Sequence, residues 1–260
     1  MDAVHRAALP APRQQPAAEP ATAVIDVTVV IPAYNEEQRL RPGIDEVCGY
    51  LRTTVRRWEL IVVDDGSTDG TAAVAAEAAD AEPRIRLLRA PVNRGKGHAV
   101  RIGMRASRGR RVLFCDADGA TPIEELALLH DRLDEGYAVA IGSRARPGAR
   151  IEARQHVLRE LLGKAGNRLI QAVAVPGIRD TQCGFKLFDG DKARTAFALA
   201  RTDGWGFDVE ILRMFHANGW PIAEVPVRWS HRPGSKVGPF DYAKVLAEVI
   251  RVRLGGTRTP

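Results

Sequence analysis

The stretch Arg111-Val-Leu-Phe-Cys-Asp-Ala-Asp-Gly119 sets an apolar run directly against two carboxylates spaced two residues apart. Four or five apolar residues between an Arg pair and a Gly read as a buried strand. The last side chains of such a strand reach the crevice at the carboxyl edge of a sheet, where open α/β sheets bind their ligands. Asp116 and Asp118 repel each other there unless a positive charge sits between them. A hard divalent cation, held by one or two carboxylates and by substrate phosphates, meets that need. Asp and Gly also favour solvated turns, so the residues alone leave both readings open.

Outward from this stretch the chain alternates. Val24 to Ile31 is β-branched throughout and stops at Pro32, which predicts a central strand followed by a loop. Helical patterning runs from about Gln38 to Arg56, and a second strand from Glu59 to Val63 ends in Asp64-Asp-Gly-Ser-Thr-Asp-Gly70. Helices are expected over Thr71 to Ala81, Gly97 to Ser107 and Ile123 to Glu135, with strands over Arg84 to Leu88, Arg110 to Cys115 and Tyr137 to Ile141. One helix between successive strands is the signature of a mostly parallel sheet with right-handed crossovers. Later helices are expected over Arg154 to Val173, Asp191 to Ala200, Phe207 to Asn218 and Phe240 to Leu254, with a strand from Ile222 to Trp229. The fold class is therefore α/β. One domain is expected over residues 24–254, after an Ala/Pro-rich tail at 1–23 and before a flexible end at 255–260.

Composition narrows the chemistry. Cys48, Cys115 and Cys183 lie far apart and form no CxxC pair, so neither a disulfide framework nor a zinc site is suggested, and a cytoplasmic setting is expected. No stretch reaches the length of a transmembrane helix. The formal charge of +6 is uneven: Arg144 to Arg168 carries seven Lys or Arg against two acids. Such a surface points to an anionic partner. The helix from Arg154 to Val173 reads as an ordinary amphipathic helix or as one lying on a membrane interface.

In a parallel sheet the loops Pro32 to Glu37, Asp64 to Asp69 and Asp116 to Asp118 leave the same edge and should converge. Several other signatures fail. Gly95-Lys-Gly-His-Ala-Val100 lacks the third glycine of a dinucleotide fingerprint, and Gly97 stands where a Walker loop requires Ser or Thr. Asp116-Ala-Asp-Gly-Ala-Thr121 is superficially similar to the nucleophile loop of haloacid-dehalogenase-like phosphatases, but sits on the fourth strand rather than the first. No acid follows at EF-hand spacing.

The combination Val30-Ile-Pro-Ala-Tyr-Asn-Glu36, Val62-Val-Asp-Asp-Gly-Ser67, Asn93-Arg-Gly-Lys-Gly97 and Asp116-Ala-Asp118 resembles the family 2 glycosyltransferases with the GT-A fold. Within them, Asp116 to Pro122, Gly142-Ser-Arg144, Arg179-Asp-Thr-Gln-Cys-Gly-Phe-Lys186, Trp205-Gly-Phe-Asp-Val-Glu210 and Gly234-Ser-Lys236 resemble dolichyl-phosphate β-glucosyltransferases. The resemblance spans Val24 to Val252.

It implies a UDP-sugar donor, a polyprenyl or dolichyl phosphate acceptor, and Mg²⁺ or Mn²⁺ on Asp116 and Asp118. Pro32, Ala33, Tyr34 and Glu36 would line the nucleotide pocket with Ala117, and Asp65, with Asp64, would meet the uracil. Asp64 is equally suited to capping the next helix. Lys96 would face the donor phosphates. Arg144, Arg154 and Arg159 would meet the lipid phosphate, with Ser235 and Lys236 closing as a lid. Asp180, Gln182, Asp208 and Glu210 would face the sugar, Asp208 among the catalytic residues, although each suits structural capping equally. Trp205 would stack on the sugar or pack; His98 and His231 take no role. Ala120 stands where the mannosyl-phosphate branch has a Gln, so the metal has one fewer protein ligand.

The implied reaction is a metal-dependent, inverting transfer of a hexose, glucose first. The alternatives are a mannosyl- or N-acetylhexosaminyl-phosphoprenol synthase, or a non-catalytic sugar-nucleotide-binding protein. Peripheral contact with the inner membrane face is expected through Arg150 to Arg168 or the last helix, and no nucleic acid is expected as partner.

Overall fold

The computed structural model describes residues 24–153, 175, 177–232 and 239–255. The expected helix from Arg154 to Val173 and the residues Arg154, Arg159, Ser235 and Lys236 lie outside the described residues. In chain order the elements are β1 (Val27–Ala33), α1 (Glu37–Thr54), β2 (Trp58–Asp64), α2 (Thr71–Ala81), β3 (Ile85–Arg89), α3 (Lys96–Ala106) and β4 (Arg111–Cys115). A 3₁₀ turn (Ile123–Glu125) leads into α4 (Leu126–Asp134), followed by β5 (Val139–Ser143), β6 (Arg150–Ala153) and β7 (Phe185–Asp189). Then come α5 (Gly190–Leu199), α6 (Phe207–Ala217), β8 (Ile222–Pro226), β9 (Arg228–Ser230) and α7 (Pro239–Leu254).

Seven strands form one sheet in the order β3-β2-β1-β4-β7-β5-β8, while β6 and β9 pair separately. Every ladder of the large sheet is parallel except the two that β7 makes with β4 and β5. The inner strands read as unbroken apolar runs because both faces are covered. In β1, Val29 and Ile31 belong to the core under α1, α2 and α4, while Val30 belongs to the core under α3, α5 and α6. The same period of two runs through β4, with Leu113 and Cys115 on the first side and Val112 and Phe114 on the second. Each fully buried Val, Ile, Leu or Phe is worth about 1.5–3 kcal/mol.

Several elements depart from the expected pattern, among them β6, a short strand with no counterpart among those expected. β1 continues through Pro32, which pairs with Val63. The amide of Asp65 donates to the Ala33 carbonyl, so Ala33 faces β2 and Pro32 faces the other flank. On that flank the β4 ladder has already ended at Val30, so the missing N–H of Pro32 costs no sheet hydrogen bond. The expected strand Ile222 to Trp229 divides at Val227 into β8 and β9, which belong to different sheets. β7 has no counterpart among the expected strands, because Lys186 interrupts its apolar run. Its reversed direction brings its leading loop, Asp180 to Gly184, to the edge where β1, β2, β4 and β5 end.

At the far end of β2, Glu59 is buried and accepts from Thr28 Oγ1 at 2.8 Å, from the amide of Arg108 at 2.8 Å and from Arg108 Nη2 at 2.6 Å. Burial alone would raise its carboxyl pKa, but the hydrogen bonds from Arg108 and Thr28 outweigh burial and hold it low. A depressed carboxyl adds stability that is complete above its unfolded value, about 4.3, and is lost as pH falls toward its folded value. Glu59→Gln is expected to cost on the order of 3 kcal/mol at pH 7 in urea unfolding. It should also flatten the acid limb of the stability profile between about pH 5 and 3.

Candidate active site

The loop after β1 and the loop after β2 are stitched together before any ligand is considered. The amide of Asn35 donates to Ser67 Oγ at 2.9 Å and that of Glu36 to Thr71 Oγ1 at 2.7 Å. Asn35 has φ of 51°, a left-handed conformation that Asn tolerates, and its side-chain oxygen accepts from the amide of Thr68 at 2.9 Å. Across the sheet, the Asp116 amide donates to the Gly184 carbonyl at 3.0 Å, which ties the β4 loop to the loop leading into β7. The loops after β1, β2 and β4 leave the same edge of their parallel strands, and the antiparallel β7 brings its leading loop to that edge as well.

Asp116 and Asp118 form the floor of this notch, both partly exposed. A Cβ at Gly184 would overlap the Asp116 carboxylate, so only glycine leaves room for it. Asp118 accepts from the Ala120 amide at 3.0 Å. Burial, and then the like charge of Asp116, push its carboxyl pKa up. Among the described residues, no group of three or more His, Cys, Asp or Glu side chains is placed to hold a metal ion. Two carboxylates at one strand end, with hard oxygens on a partly open face, nevertheless fit a divalent cation completed by substrate phosphates and water. Ala120 is buried beside the pair and offers only its backbone there.

Lys96 opens α3 and reaches the notch from the other core. Its Nζ lies 2.6 Å from Asp116 Oδ1, and it sits 4.9 Å from the Trp205 ring centre and 5.3 Å from that of Phe114. Burial would lower its pKa, but Asp116 and Asp208 more than offset that and raise it. Trp205 therefore stacks on a lysine. Below the same Phe114 ring, at 5.6 Å, Lys186 donates to Asp208 and to the Cys183 carbonyl, both at 2.5 Å.

Several expected roles change on this geometry. Asp208, placed among the catalytic residues on sequence grounds, is 4% exposed and is the buried counter-charge of Lys186. The reason is physical: an ammonium inside an apolar strand needs an acid beside it. Burial outweighs both lysines and holds the Asp208 carboxyl pKa up. Asp180 is 2% exposed and takes the Nε and Nη2 of Arg144, both at 2.8 Å. Burial would raise the Asp180 pKa, but Arg144 outweighs burial and lowers it. Glu210 accepts from the amides of Arg201 and Thr202 and so holds the approach to α6. Ala33 and Ala117 direct their side chains into the core beneath α1, leaving only their backbone to line the pocket.

The residues expected at a nucleotide are equally self-engaged. Asp65, 2% exposed, accepts from Asn93 Nδ2 at 3.0 Å and from the amides of Arg94 and Gly95 at 3.1 and 2.7 Å, while its other oxygen meets His98 Nδ1 at 3.1 Å. It clamps the turn before α3, and His98, given no role from sequence, belongs to that clamp. Asp64 accepts from the Ser67 amide at 3.0 Å and pairs with Arg89; it braces its own turn, whereas Asp69 reaches the first amide of α2. Glu36 holds Arg39 in a two-point pair at 2.7 and 2.8 Å. Tyr34 and Pro32 stand partly exposed beside it.

Arg144 follows β5 at the same edge. Asp180 takes two of its five donors, and its guanidinium lies 5.5 Å from the Trp229 ring. Sequence reasoning quoted Gly184 and Lys186 within the Arg179 to Lys186 motif without giving either a role, and gave none to Trp229. A lone Lys within Phe185-Lys-Leu-Phe188 was the one available signal, because such a charge demands an acid elsewhere in the chain.

The glycosyl transferase family 2 model matches residues 28–195. A dolichyl-phosphate beta-glucosyltransferase of Homo sapiens is 40% identical over 242 residues, covering 88% of this chain and 75% of that protein. Its namesake in Drosophila melanogaster is 42% identical over 232 residues, covering 83% and 70%. Among solved structures, glucosyl-3-phosphoglycerate synthase from Mycobacterium tuberculosis, in complex with Mn²⁺, UDP-glucose and phosphoglyceric acid, matches with a TM-score of 0.65 at 23% identity. The match covers 91% of this chain and 81% of that one, and shows a shared fold.

The Asp118 carboxyl, raised in the folded protein, favours folding at low pH and loses that contribution as pH rises through its folded value. Asp118→Asn keeps the acceptor for the Ala120 amide and removes the repulsion. In EDTA at pH 7.5 its Tm should exceed that of the wild type by about 2 °C, with the gain vanishing toward pH 4. A Tm equal to or below wild type at pH 7.5 would show that Asp116 and Asp118 do not strain each other.

Proposed function

Because the chain belongs to glycosyltransferase family 2, we propose that it transfers glucose from UDP-glucose to a polyprenyl phosphate of the dolichyl type, with inversion. The observation that carries this reading is the notch itself: paired aspartates at the end of β4, with Lys96 on one side and an acid-braced Arg144 on the other. The named activity of the two relatives, which span most of this chain, supports glucose and a lipid phosphate over the alternatives.

Asp116 and Asp118 would hold Mg²⁺ or Mn²⁺, which when bound neutralises the diphosphate leaving group. The remaining steps fall to the chain. The Asp65 clamp fixes the Asn93 to Gly95 turn against which the base would lie, and Glu36 positions Arg39 at the nucleotide side. Arg144, held by Asp180, offers its remaining donors to the acceptor phosphate. A phosphate monoester has its second pKa near 6, so at neutral pH the attacking oxygen is already largely ionised. Alignment and charge neutralisation then supply most of the rate, and no side chain must act as a strong base. The burial of Asp208 against Lys186 agrees with this.

The acceptor carries its own membrane anchor, which places the reaction at a bilayer surface. No helix among the described residues is long and apolar enough to cross a membrane.

The test is a panel of radiolabelled nucleotide sugars offered to the purified protein with a short polyprenyl phosphate, with and without EDTA. UDP-glucose should be the preferred donor and EDTA should abolish transfer; preference for another nucleotide sugar, or no transfer at all, overturns the reading. Asp118→Ala should lower kcat by about 10³-fold or more with the fold intact by circular dichroism. Arg144→Ala should raise KM for the lipid phosphate about tenfold while KM for the donor changes less than threefold; equal effects on both would remove Arg144 from the acceptor side.

A further inference from the structure

Two lysines lie beneath and beside one aromatic ring, and they are held very differently. Lys186 is locked: its ammonium has a carboxylate and a carbonyl at 2.5 Å, and its side chain is 2% exposed. Lys96 has one carboxylate partner, is 16% exposed, and is otherwise flanked by the faces of Trp205 and Phe114. Aromatic faces attract a cation without fixing its direction, so they can hold an ammonium through a shift of position. The backbone beneath it is fixed, because Gly95 is bound to the buried Asp65; only the side chain is left to move.

Asp116 is already engaged on two flanks, although its side chain is 33% exposed. One oxygen is held by Lys96, and the flank toward Gly184 is packed so closely that a Cβ there would overlap the carboxylate. We propose that Lys96 is an exchangeable counter-ion, which neutralises Asp116 while the donor is absent and passes to the donor diphosphate as a divalent cation replaces it on the carboxylate. This inference rests on the metal-dependent reading above. It makes the cation and the nucleotide bind in concert: each favours the state in which Lys96 has left Asp116, and the coupling is reciprocal.

The experiment measures Mn²⁺ binding by electron paramagnetic resonance, with and without UDP, in the wild type and in Lys96→Met and Lys96→Arg. For the wild type, UDP should tighten Mn²⁺ binding by about tenfold or more. Lys96→Met, with the ammonium gone, should bind Mn²⁺ about tenfold more tightly than wild type in the absence of UDP, and the enhancement by UDP should shrink. Lys96→Arg keeps the positive charge and should bind Mn²⁺ alone no better than wild type. If Lys96→Met binds Mn²⁺ alone no more tightly than wild type, or if Lys96→Arg tightens it equally, the exchange is overturned while the metal site stands. If no protein binds Mn²⁺ even with UDP, the metal-dependent reading falls too.

Should Lys96→Met fail to fold, the wild type decides the matter after reductive ¹³C-methylation of its lysines. The Lys96 resonance, identified by its absence from Lys96→Arg, should shift when Mg²⁺ and UDP are added together. An unmoved resonance under saturating Mg²⁺ and UDP overturns the exchange.

Discussion

Two carboxylates forced together at the end of a buried strand are the constraint around which the rest of this structure is arranged. The β4 ladder and the bond from the Asp116 amide to the Gly184 carbonyl fix the backbone there, and a Cβ at Gly184 would overlap the Asp116 carboxylate. Burial, and after it the like charge of Asp116, raise the carboxyl of Asp118. A like-charged pair at a strand end suits a cationic ligand, which would relieve the repulsion.

Around that pair the charges alternate in sign. Lys96 answers Asp116, Asp208 answers Lys186, and Asp180 answers Arg144. A buried ion pair is weak evidence for stability, since desolvation offsets much of the attraction. What these pairs supply is position. The Asp180 carboxylate holds Arg144 through a planar two-point contact that a lysine could not reproduce. Lys186 is held so firmly that it acts as a fixed positive charge beneath the site, while Lys96 is the member of the set with the least binding.

Much of the fold was legible because strands covered on both faces are continuous apolar runs, separated here by helices with acids or glycines at their starts. The convergence of loops at one edge followed from parallel direction alone. β7 was not legible: Lys186 breaks its pattern, and no local feature announces that a strand will run in reverse. The partners of the site residues were hidden for a related reason. Asp180 meets Arg144 across 36 positions, Asp208 meets Lys186 across 22, and Asp65 meets Asn93 across 28. Sequence patterning reports which residue types stand at strand ends, but whether a given acid faces a ligand or another side chain depends on which distant segment is folded over it.

That distinction explains why acids quoted together from one motif divide into different duties. In Asp64-Asp65 the first carboxylate braces its own turn through Ser67 and the second gathers the loop before α3. Of the acids between Asp116 and Asp208, Asp116 and Asp118 retain partly exposed oxygens at the sheet edge, whereas Asp180 and Asp208 are spent on cations. The antiparallel course of β7 produces this division. By delivering the Asp180 to Gly184 loop to the end of β4, it places Asp180 beside Arg144 and Lys186 beneath Phe114 in a single stroke, and so converts the acid pair at a strand tip into a notch with a basic residue on either side.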